Sequence, residues 1–93
     1  MELKEITKDP STRFVDVRSK AEFNSGHVHG AVNIPLDEFV YRYKEMEGLG
    51  KTPYVFYCRS GNRSSSAVNY LNSIGIGNIY NGGGIDDLMN YLN

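Results

Sequence analysis

The only cysteine of the chain, Cys58, stands where the aromatic and β-branched run YVFYC gives way to the polar segment RSGNRSSS. The thiolate is the nucleophilic form of cysteine, and cationic neighbours and a helix N-terminus both lower the pKa of a thiol. Arg59 and Arg63 would supply the charges, and Gly61 would let the backbone curl so that its N–H groups point at an anion. This pattern predicts a reactive cysteine above an anion-binding loop, rather than a small buried side chain that closes a strand.

The predicted loop leads directly into a helix that we expect to begin near Ser64. Loop and first turn together would present backbone N–H groups and the positive end of the helix dipole to the thiol. The residues expected to bind a substrate are Arg59, Ser60, Gly61, Asn62, Arg63 and Ser64.

The rest of the sequence alternates strand and helix patterns around this loop. Four segments have the composition of short strands: residues 14–17, GAVNIP, YVFYC and NIYN. Four others have helical spacing or caps: SKAEFNSG, LDEFVYRYKEM, the segment from Ser64 to Gly75, and IDDLMNYL. The segment GGG is expected to be a tight turn. This order predicts an α/β fold with a mainly parallel central sheet and helices on both faces, in which ligands bind at the carboxyl ends of strands.

Three segments in this order resemble a known family. The stretch FVDVRSKAEFNSGHVHGAVNIP, the loop YCRSGNRSSSA and the closing NGGGIDDL together are similar to the motifs of single-domain rhodaneses. The resemblance covers nearly the whole chain and implies a rhodanese-like fold. It also implies a thiosulfate sulfurtransferase, which carries sulfane sulfur as a cysteine persulfide.

The resemblance assigns roles to individual residues. It makes Cys58 the nucleophile and persulfide carrier, and it makes Asp16 and Arg18 supports behind the loop. In the family, a pair such as Arg18 and Glu22 links a strand to the following helix, although the residues themselves favour an ordinary surface salt bridge for Glu22. Asp16 ends a buried strand and needs hydrogen-bond donors, and the loop after Cys58 is a plausible source. Many relatives carry Trp where this chain has Leu88, so packing there is expected to differ.

Other functions on the same fold remain open. Phosphatases of this fold have five residues between their cysteine and arginine, whereas four residues separate Cys58 from Arg63 here. The shorter loop suits a single transferred sulfur better than a tetrahedral phosphate. Arsenate reduction would need an external thiol because the chain has no second cysteine. A non-catalytic binding or sulfur-carrier module is the third alternative, but such copies typically lose the cysteine.

Composition narrows the partners and the compartment. With 93 residues, 40% hydrophobic and 23% charged, the chain is predicted to form one small domain over residues 1–93. A net charge of −1 argues against nucleic acid and anionic membranes as partners, and no apolar run approaches the length of a membrane span. A lone cysteine forms no internal disulfide, and a free thiol favours the cytoplasm.

No metal or organic cofactor is expected. His27 and His29 have no cysteine or acidic cluster at ligand spacing, so His27 is interpreted as a structural hydrogen-bonding residue and His29 as a surface residue. The predicted partners are a small anionic sulfur donor such as thiosulfate, and a thiol, cyanide or protein that accepts the sulfur.

Overall fold

The computed structural model describes residues 2–92, which form a four-stranded parallel sheet with helices on both faces. The strands are β1 (Arg13–Asp16), β2 (Val32–Asn33), β3 (Tyr54–Cys58) and β4 (Ile79–Gly84), in the spatial order β2-β1-β3-β4. The helices are α1 (Leu3–Lys8), α2 (Lys20–Asn24), α3 (Leu36–Arg42), α4 (Asn62–Ser73) and α5 (Ile85–Leu92), with a 3₁₀ turn over Tyr43–Glu45. The predicted α/β architecture is confirmed.

Strand β3 is the centre of the sheet, and all five of its residues are buried. Its side chains alternate between two cores because successive residues of a strand point to opposite faces. Phe56 and Cys58 belong to the core on the face covered by α3 and α4, together with Phe39 and Leu71. The other core covers the opposite face and contains Ile6, Val28, Val55, Tyr57 and Leu88. A continuous apolar strand is therefore explained by helices on both sides of it.

Helix α4 begins at Asn62, two residues earlier than the sequence indicates. Gly61 precedes the helix with a φ of 98°, a left-handed conformation that side chains other than glycine rarely adopt. The chain can therefore reverse within three residues of Cys58. As a result, Asn62 and Arg63 belong to the first helical turn and not to the loop.

The segment GGG is part of a strand, so the prediction of a tight turn there was wrong. Strand β4 continues to Gly84, and its register against β3 shifts where Phe56 pairs with Asn81 and Tyr57 pairs with Gly83. The strand passes so close to the loop after Cys58 that a Cβ on Gly84 would lie 2.5 Å from the carbonyl oxygen of Arg59. Gly84 therefore permits this close approach of two backbones.

Helix α1 was not predicted. Its six residues are too few to form a helix by local propensity, and the segment becomes helical against the rest of the fold, where Ile6 packs with Leu88 of α5. Among the described residues, no helix has the length and hydropathy needed to cross a membrane.

Candidate active site

Cys58 ends β3 with its side chain 1% exposed, below the first turn of α4. The backbone N–H of Gly61 donates to Cys58 Sγ at 3.0 Å, and the Ser64 hydroxyl oxygen lies 3.5 Å from the same sulfur. The chain reversal at Gly61 brings both groups to the sulfur. The Gly61 N–H is thus one of the backbone donors that the sequence predicts around an anion, and the Ser64 hydroxyl lies beside the same sulfur.

The pKa of the Cys58 thiol is the outcome of opposing influences. Burial is the largest and raises the pKa, because a thiolate loses its hydration. The Ser64 hydroxyl and the backbone N–H groups of Ser64, Ser60 and Gly61 lower the pKa, and together they outweigh burial. The thiol pKa is thus lowered, as the sequence predicts, and hydrogen bonds to the sulfur are the leading causes of the lowering.

Arg63 is not a free cation, because it pairs with a carboxylate. Its guanidinium donates to both carboxylate oxygens of Glu22 on α2, at 2.8 and 3.1 Å. Hydrogen bonding to Glu22, helped by the charges of Glu22 and Cys58, raises the pKa of Arg63 and outweighs burial, which lowers it. The expected Arg18–Glu22 pair was wrong: Glu22 caps α2 through Ser19 and reaches across to α4. Glu22 lies 41 positions before Arg63 in the sequence, so no local sequence pattern predicts this pair.

Arg59 has different surroundings from Arg63. It is exposed, and it has no ion-pair partner within residues 2–92. Asn62 and Ser60 are also exposed at the rim of the loop. Arg59 is therefore the arginine of this loop that no carboxylate within residues 2–92 neutralises.

Asp16 and Arg18 form a buried ion pair at the carboxyl end of β1. Arg18 Nη2 lies 2.6 Å from Asp16 Oδ2, and the Arg18 backbone N–H donates to Asp16 Oδ1 at 2.9 Å. Arg18 also donates to the carbonyl of Gly26 at 2.7 Å. The prediction that the loop after Cys58 donates to Asp16 was wrong. Within residues 2–92, Arg18 donates the hydrogen bonds that the Asp16 carboxylate accepts. The pair holds the turn from β1 into α2.

Sequence reasoning did not identify Asn81 on β4. Its Oδ1 accepts a hydrogen bond from the Ser64 hydroxyl at 2.7 Å and from the Gly83 N–H at 2.8 Å. Its Nδ2 donates to the carbonyl of Gly61 at 3.2 Å. Asn81 lies in a predicted strand with no motif of its own, and it meets the loop only because β4 lies beside β3.

The remaining candidates lie outside this cluster. His27 Nδ1 is 3.0 Å from the carbonyl of Phe23, and the two rings stack with centroids 3.8 Å apart. His29 is exposed. The part of the chain that the structure describes contains no group of three His, Cys, Asp or Glu side chains able to hold a metal ion. Leu88 is fully buried in the core on the opposite face of the sheet from Cys58.

The sheet order and the short loop between Cys58 and α4 define a parallel α/β scaffold with a cysteine loop at the carboxyl end of its central strand. The rhodanese-like domain family model matches residues 1–89. The chain therefore belongs to the rhodanese-like domain family, as its motifs indicate.

Similar proteins include members with different activities. The thiosulfate sulfurtransferase PspE of Escherichia coli is 32% identical over 75 residues, which cover 81% of this chain and 72% of that protein. A tRNA uridine(34) hydroxylase of Hamiltonella defensa is 35% identical over 83 residues, covering 85% of this chain but 23% of the hydroxylase. A solved structure described as a rhodanese with anions from E. coli superposes with a TM-score of 0.75 at 32% identity, over 82% of this chain and 89% of that one.

Proposed function

We propose that this protein is a sulfurtransferase that carries sulfane sulfur as a persulfide on Cys58. The observation that carries the proposal is the Gly61 N–H at 3.0 Å from Cys58 Sγ, in a loop whose further N–H groups lower the thiol pKa. Such donors stabilise a sulfur anion in both forms that the reaction needs, the thiolate and the persulfide. The fold and the family match are consistent with this chemistry.

In the first half of the reaction, the Cys58 thiolate attacks the outer sulfur of a donor such as thiosulfate. A new S–S bond forms to Cys58, the S–S bond of the donor breaks, and sulfite leaves with the electron pair. The exposed Arg59 attracts the anionic donor, while Arg63 is neutralised by Glu22. No change of oxidation state beyond this sulfur transfer is needed, so the mechanism requires neither a metal nor an organic cofactor.

In the second half, a nucleophilic acceptor removes the terminal sulfur of the persulfide. Cyanide, a small thiol or a protein thiol attacks that sulfur, and the Cys58 thiolate leaves and is regenerated. A cytoplasmic setting would keep the Cys58 thiol reduced between turnovers.

A phosphatase or arsenate reductase fits the site less well. The loop is one residue shorter than the phosphatase spacing, and the Arg63 guanidinium is engaged by Glu22 instead of being free to surround a phosphate. Arsenate reduction lacks a second cysteine in the chain. We expect the protein to hydrolyse an aryl phosphate far more slowly than it turns over thiosulfate.

The proposal is tested by the mass of the protein before and after incubation with thiosulfate. The wild type should gain the mass of one sulfur atom, and cyanide should remove that mass with release of thiocyanate. Cys58→Ser should gain no sulfur and show no turnover while keeping its circular dichroism spectrum, because the change is nearly isosteric. A variant that still turns over thiosulfate would contradict the proposal.

The same experiment separates the enzyme from a non-catalytic module. A binding module would keep Cys58 unmodified at saturating thiosulfate, and its Cys58→Ser variant would behave like the wild type. A carrier that loads sulfur but releases none to cyanide or small thiols would point to a protein acceptor.

A further inference from the structure

The Ser64 hydroxyl has one proton and three possible acceptors for it. Asn81 Oδ1 lies at 2.7 Å, the carbonyl oxygen of Gly61 at 3.1 Å and Cys58 Sγ at 3.5 Å. A serine hydroxyl donates once and accepts through its lone pairs. Donation to Asn81, the shortest of the three, therefore leaves the oxygen of Ser64 facing the sulfur as an acceptor.

The orientation of the Asn81 amide follows from its partners. The Gly83 backbone N–H lies 2.8 Å from one amide atom, and a backbone N–H can only donate, so that atom is Oδ1. The other amide atom, Nδ2, then faces the Gly61 carbonyl at 3.2 Å, as a donor must. The acceptor that Ser64 meets is thus set by the backbone of β4.

These contacts connect the sulfur to β4 in a chain of hydrogen bonds. With Cys58 protonated, the S–H donates to Ser64 Oγ, and the Ser64 hydroxyl donates to Asn81 Oδ1. With Cys58 as an anion, the Ser64 hydroxyl has to turn to the sulfur and give up its bond to Asn81. Asn81 therefore favours the protonated sulfur, and its presence opposes ionisation.

We propose that Asn81 is a positioning residue of the sulfur site that competes with Cys58 for the single hydroxyl proton of Ser64. The inference rests on the proposed role of Cys58 and extends it, since Asn81 then sets how strongly Ser64 stabilises the anionic sulfur. It acts through Ser64 and does not touch the reacting atoms.

The charged groups near the sulfur stay the same when Asn81 is changed. Arg63 on α4 interacts with the Cys58 charge and is paired with Glu22 of α2. The Asp16–Arg18 pair follows β1, and Arg59 is exposed in the loop. None of these side chains is bonded to Asn81 in the described part of the chain, so a change in thiol pKa on replacing Asn81 reports on its two contacts in the loop, Ser64 and the Gly61 carbonyl.

The test is a double-mutant cycle on the thiol pKa, measured from the pH dependence of alkylation by iodoacetamide. Asn81→Ala should lower the thiol pKa by about 0.5 to 1 unit, the effect of one freed hydrogen bond. In a Ser64→Ala background the same replacement should cause no shift. A purely structural loosening of the loop would instead raise the pKa, because the Gly61 N–H would move away from the sulfur.

A second variant and a control complete the test. Asn81→Asp keeps an oxygen acceptor for Ser64 and adds a negative charge, so it should raise the thiol pKa. Asn69→Ala, an exposed asparagine elsewhere on α4, should leave the thiol pKa unchanged. A raised or unaltered pKa in Asn81→Ala, or the same shift with and without Ser64, would overturn the inference. Alkylation needs no sulfur donor, so this result is independent of whether the proposed transferase activity is found.

Discussion

The two arginines that follow Cys58 have different surroundings, although they are the same type of residue. Arg59 and Arg63 are both arginines beside the same cysteine, yet Arg63 is bonded to Glu22 at two positions and Arg59 is exposed. A cation already paired with a carboxylate attracts a further anion weakly, since the net charge of the pair is zero. If the proposed function holds, Arg59 rather than Arg63 attracts the anionic donor.

Replacement of Arg59 tests this difference. Arg59→Ala should raise KM for thiosulfate about three- to tenfold, the effect of one exposed charge, with kcat little changed because the backbone N–H groups remain. The measurement is steady-state transfer from thiosulfate to cyanide at low and high salt, and the difference from wild type should shrink at high salt. Arg13→Ala, an exposed arginine at the amino end of β1, is the matched control. An unchanged KM would make Arg59 an ordinary surface charge.

At the scale of elements, the site depends on how closely β4 approaches the loop after β3. The two strands are neighbours in the sheet, and both end at the same edge. Gly84 at the end of β4 faces the backbone of Arg59 and Ser60 so closely that a methyl group has no room. The contact is between backbones, so neither side can yield without moving the loop.

Gly84→Ala should therefore damage both stability and activity. The added Cβ would meet the Arg59 carbonyl oxygen at 2.5 Å, and the strain should cost about 1–3 kcal/mol of unfolding free energy. Displacement of residues 59 and 60 should also lower the rate of sulfur transfer. Gly77→Ala provides the control, because a Cβ there meets nothing within 4 Å. If both variants unfold in urea at the wild-type midpoint, the close approach is not a constraint.

On the scale of the whole molecule, the Glu22–Arg63 pair connects helix α2 to helix α4. Hydrogen bonding from Arg63 outweighs burial and lowers the pKa of Glu22 from 4.5 to about 2. A carboxylate with a lowered folded-state pKa stabilises the fold above its unfolded-state pKa, and this contribution is lost as the pH falls. The loss should occur between pH 4.5 and 2.

Glu22→Gln should remove this pH-dependent contribution. Both partners are about a third exposed, so the difference in unfolding free energy from wild type should stay below about 1 kcal/mol at pH 7. This difference in unfolding free energy should narrow as the pH is lowered from 4.5 towards 2, because wild-type Glu22 becomes protonated and loses its charge. Urea denaturation at several pH values measures it, and Glu47→Gln, an exposed glutamate without an ion pair in residues 2–92, is the control. Parallel stability curves for wild type and Glu22→Gln would contradict the assignment.

The amino-acid sequence by itself determined the fold class, the family and the segment around Cys58. These depend on local patterns: apolar runs of strand length, helical spacing, and a glycine between a strand and a helix. Cys58 and the loop whose Gly61 N–H donates to its sulfur lie within seven consecutive residues, Cys58 to Ser64, so the chain connectivity itself keeps them close together. Tertiary structure was not needed to bring them together.

Tertiary structure alone decided which distant residues complete the site. Glu22 and Asn81 lie 41 and 17 positions from their partners Arg63 and Ser64, and only the order of the parallel strands brings them to one edge. The strand character of the GGG segment and the helix α1 depend in the same way on packing against neighbours. A short segment with few apolar residues has little tendency to form a strand or helix by itself. Packing of the GGG segment against β3 and of α1 against α5 supplies the stabilising free energy.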